Sequence, residues 1–503
     1  MTDLKAIIQI LTPEEEQRYI ALLERNNKRN DTKNIQLFKL LAQNELSSND
    51  ICFKIYNSHK KGAYHALRKR LYQSLIDFIA NRSLAEENSV DMKVIKYILA
   101  SRTFLIHKEP KIAYDVLDKA ESLAQEYQLF PILNEIYHTK IQYAYLNPSI
   151  DLNDVITSFR RNQKQHAMEE ELNLVYAKVR QTLSDMTYDG KVLDFETILK
   201  NVLKEHQIDL SQAFSFKSLY QLMTIVSISA FVNNDYLKIE PFLLATYQKI
   251  HQHKTKDKQL IYHIEVVYMI ANTLFRNKKF NQSIDFLEQM RKLMKQQRSK
   301  YETAFKLKYF LLMALNKNYL GHQDEAIDLL ESVKTEKHVD TESILDIHLS
   351  LVMFYMQKND LKKAKSLYAK FYHTDNYYAE KAGKEWVIKK NLAEIILYIE
   401  LGEIDLVDSR FLSFKRSYYK YLKAINQDRV IVYLNFVNTY YKQPHIVKTT
   451  AFKERVELAF DWVNEQQEDI FVMSFYAWLK SKMEQRDLYK TTLDLIAKAQ
   501  NVN

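Results

Sequence analysis

A chain of 503 residues is too long for one ordinary hydrophobic core, so it is either several domains or an elongated repeat array. Only 5 Gly and 6 Pro occur, which leaves little material for Gly-rich loops, bulges and tight turns and points to a chain that is nearly all helix. With 47% hydrophobic and 27% charged residues a disordered chain is excluded, and a net charge of +9 remains to be located.

Residues 1–90 read as a separate module of short helices. Met1 to Leu11 is a short apolar segment broken by Asp3 and Lys5, not an export signal, so a cytoplasmic location is expected. The one cysteine, Cys52, fits a reducing compartment and reads as a small buried hydrophobe. Thr12-Pro13-Glu14-Glu15 is a helix start with Thr as cap, Pro in the first turn and Glu15 at the capping-box position. Asp50 can cap a helix to Tyr56, and a polar turn from Asn57 to Gly62 leads into a long helix, Ala63 to Arg82, with Leu67, Leu71, Leu75, Phe78 and Ile79 as its buried stripe. Two short helices and a basic one invite a helix-turn-helix reading in which His65, Arg68 and Lys69 approach a DNA groove. The six-residue turn is too long for that, and Arg68 to Arg70 cannot all face one groove. A cap over a solenoid end is the better expectation.

From Val94 onward one pattern recurs. In the stretch from Ile261 to Lys308, Val267, Ile270, Ala271 and Leu274 mark a first helix, Arg276-Asn-Lys-Lys a polar turn, and Phe280, Ser283, Leu287 and Met290 a second helix. Equivalents of Ser283 fall at Ala113, Val155, Phe195, Ile239, Ala326, Ala364, Val407, Phe452 and Thr492, spaced 38 to 45 residues apart, each followed four residues later by an apolar side chain. A period near 42 signals a solenoid whose repeats touch only their neighbours. The longest uncharged run, Ser218 to Asn234, is too short and too polar for a bilayer and reads as a core helix, so no membrane insertion is expected.

Leu351, Tyr355, Ala364 and Tyr368, then Ile395, Tyr398, Gly402 and Phe411, stand at the paired helix positions of the tetratricopeptide repeat, which this part of the chain resembles, with Gly321 and Ala326 at its turn and small-residue site. The leading Trp and closing Pro of that repeat are missing, the period is longer, and Phe195 and Phe452 sit where it prefers Ala. Leu11-Thr12 with Arg18-Tyr19, the Asn34 to Lys39 helix and the Leu67 to Ile76 segment also resemble a group of tetratricopeptide-like proteins from bacteroidete bacteria. That resemblance implies a bacterial cytoplasmic protein and brings no activity with it.

Catalytic signatures are absent from the sequence. The five glycines are never closer than 19 residues, so no phosphate-cradling loop or dinucleotide fingerprint exists. His251, His253 and His263 lack metal-ligand spacing and read as surface histidines, while Glu14 to Glu16 and Glu169 to Glu171 read as first-turn carboxylates complementing a helix dipole. No cofactor or metal is expected, and no enzyme.

Charge is concentrated. Between Pro241 and Leu320 there are 15 Lys/Arg against 5 Asp/Glu. In tetratricopeptide arrays the first helix of each pair lines the concave side, and here Tyr268, Asn272 and Arg276 recur every four residues, continued by Lys308 in the next hairpin. The second helix ends with Arg291, Lys292, Lys295, Arg298 and Lys300. These nine residues are the candidate partner surface, suited to an acidic peptide, a phosphorylated segment or, less well, nucleic acid. The segment Phe414 to Lys423 interleaves bases with aromatics and reads chiefly as hairpin packing.

The sequence therefore predicts an all-α, right-handed α-solenoid of about ten helical hairpins over residues 91–503, behind a helical N-terminal cap over residues 1–90. The expected function is a non-catalytic scaffold or adaptor for a protein or peptide. The alternative is a nucleic-acid-binding or peptide-responsive regulator that uses residues 1–90 on DNA. Partner identity and oligomeric state are not encoded legibly.

Overall fold

The computed structural model describes residues 4–9, 11, 13–26, 33–42, 47–58, 61–86, 90–187, 195–206, 215–233, 235–252, 259–296, 299, 301–333, 340–460 and 468–501. Every regular element among them is helical, with no strand. The chain divides into two compact units, Met1–Asn162 and Gln163–Asn503.

The first unit contains α1 (Leu4–Gln9), α2 (Pro13–Asn26), α3 (Lys33–Ala42), α4 (Ser48–Tyr56), α5 (Lys61–Glu86), α6 (Val90–Ile106), α7 (Pro110–Glu126), α8 (Phe130–Gln142) and the beginning of α9 (Leu152–Thr187). Helices α1 to α5 share one apolar cluster that includes Leu37, Ile51, Cys52, Leu67, Leu71 and Leu75. Helices α6 to α8 share another around Val94, Leu117 and Ile136. Ser47 caps α4 reciprocally with Asp50, satisfying two of the backbone amides that the first turn of a helix leaves unpaired.

The second unit continues with the rest of α9, α10 (Phe195–Glu205), α11 (Phe216–Asn233), α12 (Tyr236–Gln252), α13 (Leu260–Arg276), α14 (Phe280–Met294), α15 (Glu302–Tyr319), α16 (Gln323–Glu331), α17 (Thr341–Gln357), α18 (Leu361–Tyr368), α19 (Asp375–Ala382), α20 (Lys384–Leu401), α21 (Ile404–Ala424), α22 (Asp428–Lys442), α23 (Thr450–Ala459), α24 (Ile470–Glu484) and α25 (Leu488–Asn501). Successive helices pack in hairpin pairs: α11 with α12, α13 with α14, α15 with α16, α17 with α18, α20 with α21 and α24 with α25. The repeat positions explain why. Ala113, Ser283, Ala326, Ala364, Val407, Phe452 and Thr492 are all buried to 2% exposure or less, so each marks the point where a second helix presses against its first. Val155 and Ile239 are only half-buried.

Four features depart from expectation. The scarcity of glycine does not prevent tight turns. Among the described residues eight helix ends close in the same way, with a left-handed residue at Lys108, Gln128, Lys278, Gly321, Asn359, Gly402, Asn426 or Gln485. After each, the next amide reaches back to a carbonyl five residues earlier, as in Lys279 to Leu274 at 2.8 Å and Asp360 to Tyr355 at 2.8 Å. This is the Schellman closure, and six of the eight carry a side chain where glycine is easiest.

Helix α9 also runs for 36 residues without the break that a hairpin reading implies. It contains neither Gly nor Pro, and its middle is rich in Gln, Lys, Ala, Met and Glu, all good helix formers. Glu169 to Glu171 consequently lie inside a helix and not in a first turn; Glu169 is buried, with the Lys217 ammonium 2.9 Å away. His263 is no surface histidine either. It is buried on α13, against the Tyr247 hydroxyl at 3.4 Å and edge-on to the Phe216 ring.

The fourth departure is the largest, because contacts are not confined to neighbouring hairpins. Helices α24 and α25 return to α13 to α15: Ile470, Met473, Ile496 and Ala499 join the apolar cluster of Leu260, Ile264, Leu287 and Phe305. The Tyr489 hydroxyl donates to the Asn318 carbonyl at 2.6 Å, and the Gln500 amide donates to the Lys278 carbonyl at 2.6 Å.

Candidate functional site

Helix α13 is buried on most of its circumference: Val267, Ile270, Ala271 and Leu274 are at 1% exposure or less. Tyr268, Asn272 and Arg276, at intervals of four, share the half-buried stripe that remains. That stripe faces side chains from other helices. The Lys308 ammonium of α15 lies 5.7 Å from the centroid of the Tyr268 ring. The Arg276 guanidinium of α13 stacks 4.9 Å from the ring of Tyr236 on α12 and donates to Asp469, the N-cap of α24, at 2.8 Å.

Two further groups complete the cluster. On α17, Asp346 accepts a hydrogen bond from the indole of Trp386 on α20 at 2.9 Å. Also on α20, Lys389 pairs with Glu385 at 3.0 Å and lies 5.5 Å from the ring of Phe471 on α24. The cleft so formed is reachable from solvent, since the Arg276 and Lys389 side chains keep 27% and 26% exposure and Glu385 at its margin keeps 69%.

Electrostatically the cleft is mixed, not basic. Burial, then the charge of Glu342, pushes the Asp346 carboxyl up to about 7, against the opposing pull of the Trp386 hydrogen bond, Lys389 and Arg276. Glu342 is raised as well, by burial and then by Asp340. Burial pushes the Tyr268 hydroxyl far above its ordinary value, and Asp346 adds to it. Asp469 goes the other way. Burial opposes its charge, but Lys389, Arg276 and the amides of Val472 and Phe471 outweigh that and hold it below the usual carboxylate range.

Hydrogen-bonding capacity remains unused. The Arg276 Nε is buried with no partner among the described residues. Neither the Tyr268 hydroxyl nor the Asn272 amide makes a hydrogen bond among them. Such a surface can hold a chain segment by charge, by hydrogen bonds and by contact with the half-buried Tyr268 and Phe471.

The nine expected site residues are thus dispersed. Tyr268, Asn272, Arg276 and Lys308 come together. Arg291 and Lys292 are exposed on α14, the second helix of the hairpin, and Lys295 is exposed at its C-cap. Arg298 and Lys300 lie outside the described residues. Glu342, Asp346, Glu385, Lys389 and Asp469 escaped the sequence reading; the one available signal was that Asp346 and Lys389 interrupt the apolar runs of two first helices. Lys278, read as part of a polar turn, is buried, its ammonium donating to the Glu468 carbonyl at 3.0 Å.

No family model, curated protein or solved structure matches this chain. The remaining sequence candidates carry less. On α5, His65, Lys69 and Arg70 are exposed while Arg68 folds back over the Tyr64 ring. On α21, Phe414 is buried against Tyr418, whose hydroxyl donates to Asp375 at 2.7 Å, so these aromatics pack inward and Lys415, Arg416, Lys420 and Lys423 face out. Among the described residues no helix is long and apolar enough to cross a membrane.

Proposed function

We propose that this chain is a tetratricopeptide-like, right-handed α-solenoid of about ten hairpins behind a helical N-terminal cap, and that it works in the cytoplasm as a non-catalytic scaffold for a peptide or protein segment. The cleft carries the reading: polar and aromatic side chains from α12, α13, α15, α17, α20 and α24 converge on one half-buried surface that still has unused donors. First helices that were only structural would present the apolar faces seen elsewhere on them. Binding a chain segment needs hydrogen-bonding groups in line with flanking rings and charges, and Tyr268, Asn272 and Arg276 provide such a line.

Photo-cross-linking in cells tests this. A photoreactive residue at Asn272 or Lys308 is expected to capture a discrete protein, while one at Arg291 or at exposed Lys119 on α7 captures none. Capture from Arg291 alone would move the surface to α14, and equal yields at all four positions would remove the cleft as the site.

A further inference from the structure

The chain itself occupies the end of the cleft that holds Arg276, beside the buried Lys278. Within Glu468-Asp469-Ile470, the Asp469 carboxylate takes Arg276 at 2.8 Å, the Glu468 carbonyl takes the Lys278 ammonium at 3.0 Å, and Ile470 enters the apolar cluster of α13 to α15. An acidic side chain followed by an aliphatic one, docked against Arg276 and Lys278 from about 190 residues further along the chain, has the chemistry of a bound peptide.

The attachment is also uneven. The large apolar side chains of α24, namely Phe475, Tyr476, Trp478, Leu479 and Met483, belong to the cluster built chiefly by α17 to α22. Against α13 to α15 the hairpin α24–α25 offers Ile470, Met473, Ile496 and Ala499 together with point contacts, among them Tyr319 with Ser474 at 3.2 Å. Parting α24–α25 from α13 to α15 therefore leaves the α17 to α22 part of that cluster around α24 and gives up its α15 members, Leu307 and Ala314.

We propose that Glu468-Asp469-Ile470 is a built-in ligand for Arg276 and Lys278, and that a partner segment presenting a carboxylate followed by an aliphatic side chain takes the same place when α24–α25 withdraws. This rests on the peptide-binding reading above and adds the class of partner and an intramolecular competitor. The unused Asn272 amide and Tyr268 hydroxyl, one and two turns before Arg276, give an incoming backbone bonds that the built-in segment does not make.

The test uses full-length protein and a fluorescein-labelled Glu-Asp-Ile-Phe-Val peptide, the sequence of residues 468–472, read by fluorescence anisotropy. Asp469→Asn keeps an oxygen to cap Phe471 and Val472 but removes the competing charge. It is expected to bind the peptide about tenfold more tightly than the unmodified chain. Adding Arg276→Gln is expected to abolish that gain, and an Ala-Ala-Ile-Phe-Val peptide is expected not to bind. A Lys279→Cys/Gln500→Cys pair, bridged by a short bismaleimide beside the Gln500–Lys278 contact, is expected to bind less than the unbridged pair; Cys52 is buried and spared. Equal affinity of the bridged, unbridged and Asp469→Asn proteins would overturn the competitor. Absence of binding in every form would overturn the acidic-aliphatic partner class, while cross-linking from Asn272 would still report on the scaffold reading separately.

Discussion

Arg276 and Asp469 form an ion pair at 2.8 Å although 193 positions separate them. Asp469 is at once the N-cap of α24, accepting from the amides of Phe471 and Val472 at 3.0 and 3.3 Å. One carboxylate therefore starts a helix and joins that helix to α13. Asp469→Ala is expected to cost about 2–3 kcal/mol in urea unfolding, below the value for a fully buried pair because both partners keep some exposure. Asp469→Asn retains the cap and should lose about 1 kcal/mol less. Equal losses would mean that the cap contributes nothing.

Asp346 carries a pH signature. Its folded pKa, about 7, lies above its ordinary value, so the folded state holds a proton that the unfolded state has released. Its stabilising contribution is full below pH of about 4 and is lost as pH rises to about 7. Asp346→Asn, which still offers an oxygen to Trp386, should be more stable than the parent at pH 8 and no more stable at pH 4, measured by denaturant unfolding at both. A constant difference across that range would contradict the assignment.

Lys278 gives the complementary case. Burial lowers its ammonium to about 8 despite Asp469 and Glu468, so the folded state releases this proton before the unfolded state does. Stability should rise between pH 8 and pH 10 through this residue, and Lys278→Met should flatten that rise. An unchanged slope in the variant would assign it to other groups.

Gly383 and Gly321 separate backbone strain from packing. Both have positive φ, but a Cβ at Gly383 would lie 2.7 Å from Thr187 Cγ2 and 3.0 Å from its carbonyl, whereas at Gly321 it meets open space. Gly321→Ala should cost about 1 kcal/mol and Gly383→Ala at least about 2 kcal/mol, by thermal or chemical unfolding. Gly383→Ala in a Thr187→Ser background should recover part of the difference.

The Schellman turns offer a gain. Gln485 is exposed, with φ of 55° and no glycine to relax it. Gln485→Gly should stabilise by about 0.5–1 kcal/mol, since the left-handed penalty on a side chain exceeds the added entropy of glycine when unfolded. Destabilisation would show that the Gln485 side chain contributes contacts worth more than that penalty.

Much of the architecture could be read from one strand of text. Period, amphipathic spacing and the buried positions Ala113, Ser283, Ala326, Ala364, Val407, Phe452 and Thr492 are local properties, each decided within a few turns of chain, and they determined that helices pack in adjacent pairs. Buried Cys52 and the core helix α11 were legible for the same reason. The turns were not, because a Schellman closure depends on backbone angles that Lys108, Gln128 and Lys278 can adopt without announcing it in composition.

The site divides along the same line. Sequence determined that Tyr268, Asn272 and Arg276 share a helix face and that positive charge gathers near them. Only the tertiary structure decided that the Asp469 carboxylate offsets Arg276 and that Asp346 and Lys389 join them, since they arrive from helices up to 193 residues away. Helix periodicity reports which way a side chain faces on its own helix; which charge it then meets depends on where the chain returns, and no short window of sequence contains that.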